Sequence, residues 1–191
     1  MARSGPTASK PDAILDAALV LFAERGFHGT SVPDLAKAAG VGAGTIYRHF
    51  DSKEGVVNVL FRTWKQRMTA EVFEAPFEGS WRQRMGALWR ALFRFHGNHP
   101  HAIPFLDLHH HADYLDEESR MVEQLSAASW LQLFVEGQQE QALIDFHPAA
   151  AIAMAYGAFL GIVRGAQTGY YPLDDALIAA SEERIWAMIR R

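Results

Sequence analysis

Apolar residues recur at three- and four-residue intervals along almost the whole chain, and no stretch alternates as a strand would. Ile14, Leu15, Ala18, Leu21 and Phe22 form the first stripe. It opens on Ser9, Lys10, Pro11 and Asp12, which read as an N-cap, a first-turn proline and an acidic N3 residue, and Gly26 is placed to end it. Ser31 with Asp34 repeats the cap signal for a short helix carrying Val32, Leu35 and Ala36, and Gly40 punctuates it. A third short helix is predicted from about Ala43 to Phe50, with Ile46 and Phe50 one turn apart. Asp51 and Glu54 are expected to cap a fourth, whose stripe is Val57, Leu60, Phe61, Trp64 and Met68, before Pro76 and Gly79 break the chain.

A larger helical body follows. Trp81, Met85, Leu88, Leu92 and Phe95 make one stripe, closed by Pro100, and a proline-interrupted piece containing PFLDLHHH comes next. Asp116 caps a helix to about Gln141, Pro148 opens an unusually apolar one ending near Gly169, and Leu173 to Arg191 gives the last. The pattern predicts an all-α chain of about nine helices without an internal repeat, in which only the first ten or so residues read as loose. The stretch AAAIAMAYGAFLGIVRG is apolar nearly all round and needs cover on both sides, and its glycines permit close helix approach. Paired with the last helix it predicts a homodimer through a four-helix interface built on Tyr156, Gly157, Phe159, Gly161, Ile178, Ile185 and Trp186.

Composition narrows the class. The chain has 191 residues, 49% of them hydrophobic, enough to bury a sizeable core, and its 21% charged and 12% aromatic fractions exclude a disordered protein. The absence of cysteine excludes disulfides and thiolate metal sites and favours a reducing cytoplasm. The opening MARSGPTASKPDAIL lacks the apolar stretch of a signal peptide. No membrane association is expected, because the nearest approach to a spanning run, Ala149 to Val163, is full of alanine and glycine. The net charge of -4 hides an asymmetry: residues 1–67 carry nine Lys/Arg against six Asp/Glu, and residues 68–191 carry nine against sixteen. A mildly basic head on an acidic body suits a polyanion-binding end.

The segment AAGVGAGTIYRHFDSKEGV, from Ala38 to Val56, supplies the chemistry for one. Two short helices joined by a glycine-containing turn, after a longer helix, describe a helix-turn-helix. With Ile46 and Phe50 packed inward, Thr45, Tyr47, Arg48 and His49 are left for the outer surface, and hydroxyls, imidazoles, cations and helix N-terminal amides are what a phosphate backbone accepts.

The run SVPDLAKAAGVGAGTIYRHFDSKEGV, preceded by AALVLFAERGFHGTSV, resembles the N-terminal signature of the TetR family of transcriptional regulators over about residues 10–57. The rest resembles that family only in helix number and total length. The resemblance implies a helix-turn-helix domain in residues 1–55 and a helical effector-binding and dimerisation domain in residues 56–191. It implies that Ser31 caps the second helix and touches phosphate, that Gly44 and Thr45 lie at the groove, that Tyr47 and His49 grip backbone or sugar, and that Lys53 pairs with phosphate. The chain departs from the family at Gly42, where a capping serine is usual, and at Ala43, which offers a base edge only a methyl group. Direct readout then falls to Arg48 and Thr45, with Ala43 against a thymine methyl; Arg48 equally suits a phosphate clamp. The function implied is a ligand-responsive repressor that binds a palindromic double-stranded DNA operator as a homodimer, with no cofactor and no enzymatic activity.

Aromatic residues in the body suggest a pocket inside each protomer for a hydrophobic or aromatic small-molecule effector. Its walls are expected from Trp89, Phe93, Phe105, Trp130, Phe134 and Tyr156, with His96, His109, His110 and Arg94 as polar anchors. His96, His99, His101, His109, His110 and His111 also fall within sixteen residues, and His109 with Asp113 has a ligand-like spacing, so a metal sensor or metal-dependent hydrolase is the alternative. Three consecutive histidines point three ways on a helix and cannot all hold one ion, and no catalytic motif supports the hydrolase.

Overall fold

Two reciprocal serine–aspartate caps start the first two helices. Ser9 and Asp12 exchange bonds between side chain and backbone at the head of α1 (Lys10–Arg25), and Gly26, at φ 69°, ends that helix. Ser31 and Asp34 do the same for α2 (Val32–Ala39), which Gly40 closes in the left-handed region at φ 66°. α3 (Ala43–Phe50) begins at Gly42 with no side-chain cap. Asp51 does not cap the next helix, contrary to expectation: it closes α3 at φ 59°, and the Ser52 hydroxyl accepts the Gly55 amide at 3.0 Å to start α4 (Lys53–Phe73). So short a link between α3 and α4 forces one residue to positive φ, and aspartate tolerates that better than most.

The structure, a computed structural model, describes residues 9–74, 78–110 and 112–191. The loose N-terminal residues, Pro76 and His111 singled out above thus lie wholly or largely outside the described residues. Five further helices follow: α5 (Trp81–Asn98), α6 (Ala102–His109), α7 (Glu117–Gln139), α8 (Pro148–Gln167) and α9 (Asp175–Ile189). Pro104 sits in the first turn of α6, where its missing N–H costs nothing, so the proline-interrupted piece is a helix. The described residues therefore form nine helices. The one extended pairing among the described residues is a short antiparallel bridge between Leu143 and Arg190, which the helical pattern did not foreshadow.

Contacts divide the chain into two compact units, residues 1–68 with 96–123 and residues 69–95 with 124–191. In the first, Ile14, Ala18 and Phe22 of α1 are fully buried with Leu35 of α2 and Ile46 of α3, and α1 also packs on α6. In the second, Phe134, Leu143, Ala151 and Ile189 form a core, and Phe159 is buried beside Trp89 and Phe93.

The second unit also buries a carboxylate. Glu182 is 8% exposed, with Arg82 Nη1 at 2.7 Å from one oxygen and Arg90 bonded to the other. Burial pushes its carboxyl up, but the bonds from Arg82 and Arg90 outweigh it and hold it below the usual range. Gly86 makes room for this cluster: a Cβ there would overlap Glu182 Oε1 and lie 2.9 Å from Arg82 Nη1. Gly86→Ala, which in an open helix stabilises by about 1 kcal/mol, is therefore expected to lower stability. Overpacking costs about 1–3 kcal/mol, and a melting temperature unchanged or raised would contradict the clash.

Candidate nucleic-acid interface

α3 is amphipathic in the simplest way. Ile46 and Phe50 are buried one turn apart, while Gly42, Ala43, Gly44, Tyr47, Arg48 and His49 are exposed and Thr45 is half-buried. Tyr47 keeps 51% of its surface, a large aromatic area to leave in water. A Cβ added at Gly42 or Gly44 would meet nothing within 4 Å, so the face on which Gly44 and Arg48 sit four residues apart is open to close approach. With no side-chain cap at Gly42, the first-turn amides have no side-chain acceptor and present the positive end of the helix. Such an end accepts an anion.

The neighbouring elements are more committed. The Ser31 hydroxyl lies 2.5 Å from Asp34 Oδ2 and the Ser31 amide also donates to that carboxylate, so both of its polar groups are used in the cap. These bonds, the hydroxyl first, hold the Asp34 carboxyl below its ordinary range. Lys53 Nζ donates to the carbonyls of Phe27 at 2.9 Å and Thr30 at 3.0 Å and lies 3.9 Å over the Phe27 ring. Lys53 thus ties the α1–α2 loop to the start of α4, a role the sequence pattern did not reveal. Lys37, exposed on α2, is a cation that the motif-based reading passed over. Its signal was a lone lysine among alanines.

Two family models match consecutive parts of the chain: bacterial regulatory proteins of the tetR family over residues 14–60, and the tetracyclin repressor-like C-terminal domain over residues 61–191. The chain belongs to the TetR family of transcriptional regulators. The transcriptional repressor KstR2 of Mycobacterium tuberculosis is 32% identical over 124 residues, covering 63% of this chain and 57% of that protein. Its Rhodococcus jostii namesake is 53% identical over 49 residues, 26% of this chain and 24% of the relative. The chain thus spans less than two thirds of the length of these curated relatives. The crystal structure of a TetR-family regulator of Shewanella sp. PV-4 aligns over 96% of this chain and 100% of its own, with a TM-score of 0.82 and 26% identity.

In this TetR-family chain the expected effector residues fall in both units. His96, Phe105, His109 and His110 belong to the first, and Trp89, Phe93, Trp130, Phe134 and Tyr156 to the second. Phe105 and His109 are fully buried against Phe22 of α1, so they form the core under the helix-turn-helix. Phe134 likewise serves the core of the second unit, while Trp130 meets Phe73 with ring centroids 4.7 Å apart. His110 is exposed and its Nδ1 lies 2.8 Å from the Asp107 carbonyl. His96 is buried with Nδ1 unpartnered among the described residues, and burial lowers its pKa. An open cleft of about 520 Å³ in the second unit touches Phe93 and Arg94 but no other expected wall; Arg90, Asp175, Ile178, Ala179, Glu182 and Glu183 complete it. Arg90, Glu182 and Glu183 escape a sequence reading as pocket residues because ion-pairing arginines and acids look like a solvated face.

The described histidines of the cluster do not assemble. Among the described residues no three His, Cys, Asp or Glu side chains come together as a metal site. α6 ends at His109, so His109 and Asp113 do not share a helix face, and His109 Nδ1 is instead 2.5 Å from the Tyr114 hydroxyl.

Burial drives the His109 pKa down to about 4, with a smaller opposing pull from the Phe22 backbone. An unfolded histidine titrates near 6.5, so from pH 6.5 downward the unfolded chain takes up a proton that the folded chain refuses. Stability is expected to be full above that pH and to fall between about 6.5 and 4 by roughly 3 kcal/mol from His109, with His96 acting in the same direction. Denaturant unfolding at pH 7, 6 and 5 checks this; equal stability at all three would contradict it.

Proposed function

We propose that the chain is a ligand-responsive transcriptional repressor that binds a palindromic operator as a homodimer, its DNA-binding part in residues 1–55 and its effector and dimerisation part in residues 56–191. The observation that carries the reading is α3, a short helix with two buried anchors and an outer face of small, hydroxyl, aromatic and cationic residues. In this reading the α3 N-terminus enters the major groove, Ala43, Gly44, Thr45 and Arg48 face base edges, and Tyr47 and His49 hold the backbone. Lys53 reaches phosphate with the proton its two carbonyl partners leave over, and Ser31 contributes through the cap that orients α2.

The state of α8 supports a homodimer. By length and mean hydropathy, 1.5, this helix is apolar enough to cross a membrane, yet only 22% of that apolar window is buried within one protomer. Gly157, Gly161 and Met154 are exposed, and Tyr156 is half-buried, as are Ile178, Ile185 and Trp186 on α9. A second copy laid on these faces covers them. Phe159 is excluded from that surface, being fully buried among rings of its own protomer. For the effector, the aromatic residues Trp89, Phe93 and Tyr156 of the second unit favour a mainly apolar guest. Selection of bound sequences from random DNA tests the whole reading. An inverted repeat is expected, and enrichment of no symmetric site would refute it.

A further inference from the structure

Between the α1–α2 loop and the segment that follows α6, three side chains are stacked in order. The Tyr114 ring lies on Phe27 with centroids 4.1 Å apart and planes inclined by 24°, and Lys53 Nζ lies 3.9 Å from the centre of the same Phe27 ring. Phe27 is thus in direct contact with both the Tyr114 ring and the Lys53 ammonium. The far end of Tyr114 is fixed as well: its hydroxyl is 2.5 Å from Nδ1 of the buried His109. Its carbonyl accepts from Asn58 Nδ2 at 2.8 Å, one turn and a half along α4 from Lys53. Asn58, 4% exposed, also donates to the Glu54 carbonyl at 2.9 Å, and its Oδ1 accepts from the Asp116 amide and from the Ser119 hydroxyl of α7, each at 2.8 Å. Arg62, one turn further, closes on Asp116 at 2.9 Å.

From this geometry we infer that Tyr114 is a positioning residue for the DNA-contacting end of α4: acting through Phe27, it holds the ammonium of Lys53 and the α1–α2 loop in place. The inference rests on the proposed role of Lys53 at phosphate. A lysine on a surface helix loses most of its side-chain freedom only if something fixes it. Here two carbonyls and a ring do so, and that ring is backed by Tyr114. The segment from Ala112 to Asp116 is accordingly the input of the device. Whatever draws it from α4 loosens Phe27, and with it one phosphate contact, without touching the recognition helix.

The test uses the full chain and a short mixed-sequence duplex, with binding measured across a salt series. Lys53→Met, Tyr114→Ala and Phe27→Leu are each expected to weaken binding about tenfold and to lower the salt slope by about one per protomer bound, about two for the homodimer. The Lys53→Met, Tyr114→Ala double variant should lose no more than either single one, because one contact is removed twice. Tyr114→Phe, which keeps the stack, should bind within about twofold of the parent. Backbone amides from Phe27 to Ser31 should exchange faster in Tyr114→Ala while those of α3 do not. Additive losses, an unchanged salt slope in both Tyr114→Ala and Phe27→Leu, or unaltered exchange at 27–31 would overturn the inference. If the parent chain binds no DNA the repressor reading fails, and the exchange measurement still decides whether Tyr114 positions the loop.

Discussion

Gly161→Glu is expected to leave the protomer folded and to take apart the dimer, and operator binding with it. Within one protomer a Cβ at Gly161 meets no atom within 4 Å, so the substitution fits, and replacing a helical glycine favours the helix by about 0.5–1 kcal/mol. Only a partner lying on α8 makes the position crowded. There two carboxylates would be brought into an apolar interface, where an unpaired charge costs several kcal/mol. Each free protomer could then hold one half-site only. Losing the second, tethered contact lowers operator affinity by about 100-fold or more. Sedimentation at micromolar concentration should show dimer for the parent chain and monomer for the variant, with similar melting of the protomer helices. A variant that stays dimeric and binds DNA as before would place the interface elsewhere; one that fails to melt cooperatively would make Gly161 a core position.

Arg48→Ala is expected to lower the dimer's operator affinity about thirtyfold or more, because the 1–3 kcal/mol that a forked arginine–guanine contact carries is lost in both half-sites, and to relax base preference at one position in each half-site. The geometry favours readout over a phosphate clamp. Arg48 shares its helix face with Gly44, four residues back toward the groove end, and nothing stands within 4 Å of where a Gly44 side chain would begin. Backbone can therefore come close to the duplex there and carry the guanidinium inward. Repeating the random-sequence selection with the variant checks the specificity, and a salt series checks the charge. Uniform weakening across sequences with a salt slope lowered by about two, one for each protomer, would instead make Arg48 a phosphate clamp.

Much of the helix-turn-helix was legible before any coordinates because its signals are local. Ser9 with Asp12 and Ser31 with Asp34 close their caps within four residues, and Gly26 and Gly40 stop helices by their own freedom at positive φ. Ile46 and Phe50 define the inner face of α3 by spacing alone, so the outer face follows by subtraction. The turn into α4 was misassigned for the same reason that the rest succeeded. Asp51 and Ser52 are both good caps in isolation, and only the path between two fixed helices makes the first an end and the second a beginning.

The body was less legible because aromatic residues at helical spacing look alike whether they line a pocket, face a partner or fill a core. Phe105, His109, Phe134 and Phe159 are core, a fact set by which helix each happens to meet. Lys53 is the clearest divergence. Its place in the motif marks it as a phosphate ligand, while its bonds to Phe27 and Thr30, more than twenty residues away, arise from a fold that brings the α1–α2 loop to the head of α4. Periodicity and capping chemistry act over one or two turns, and on their own they determined most of the helices, their order and the outer face of α3. Which rings and charges meet across the chain depends on how those helices pack, and that was decided by tertiary structure alone.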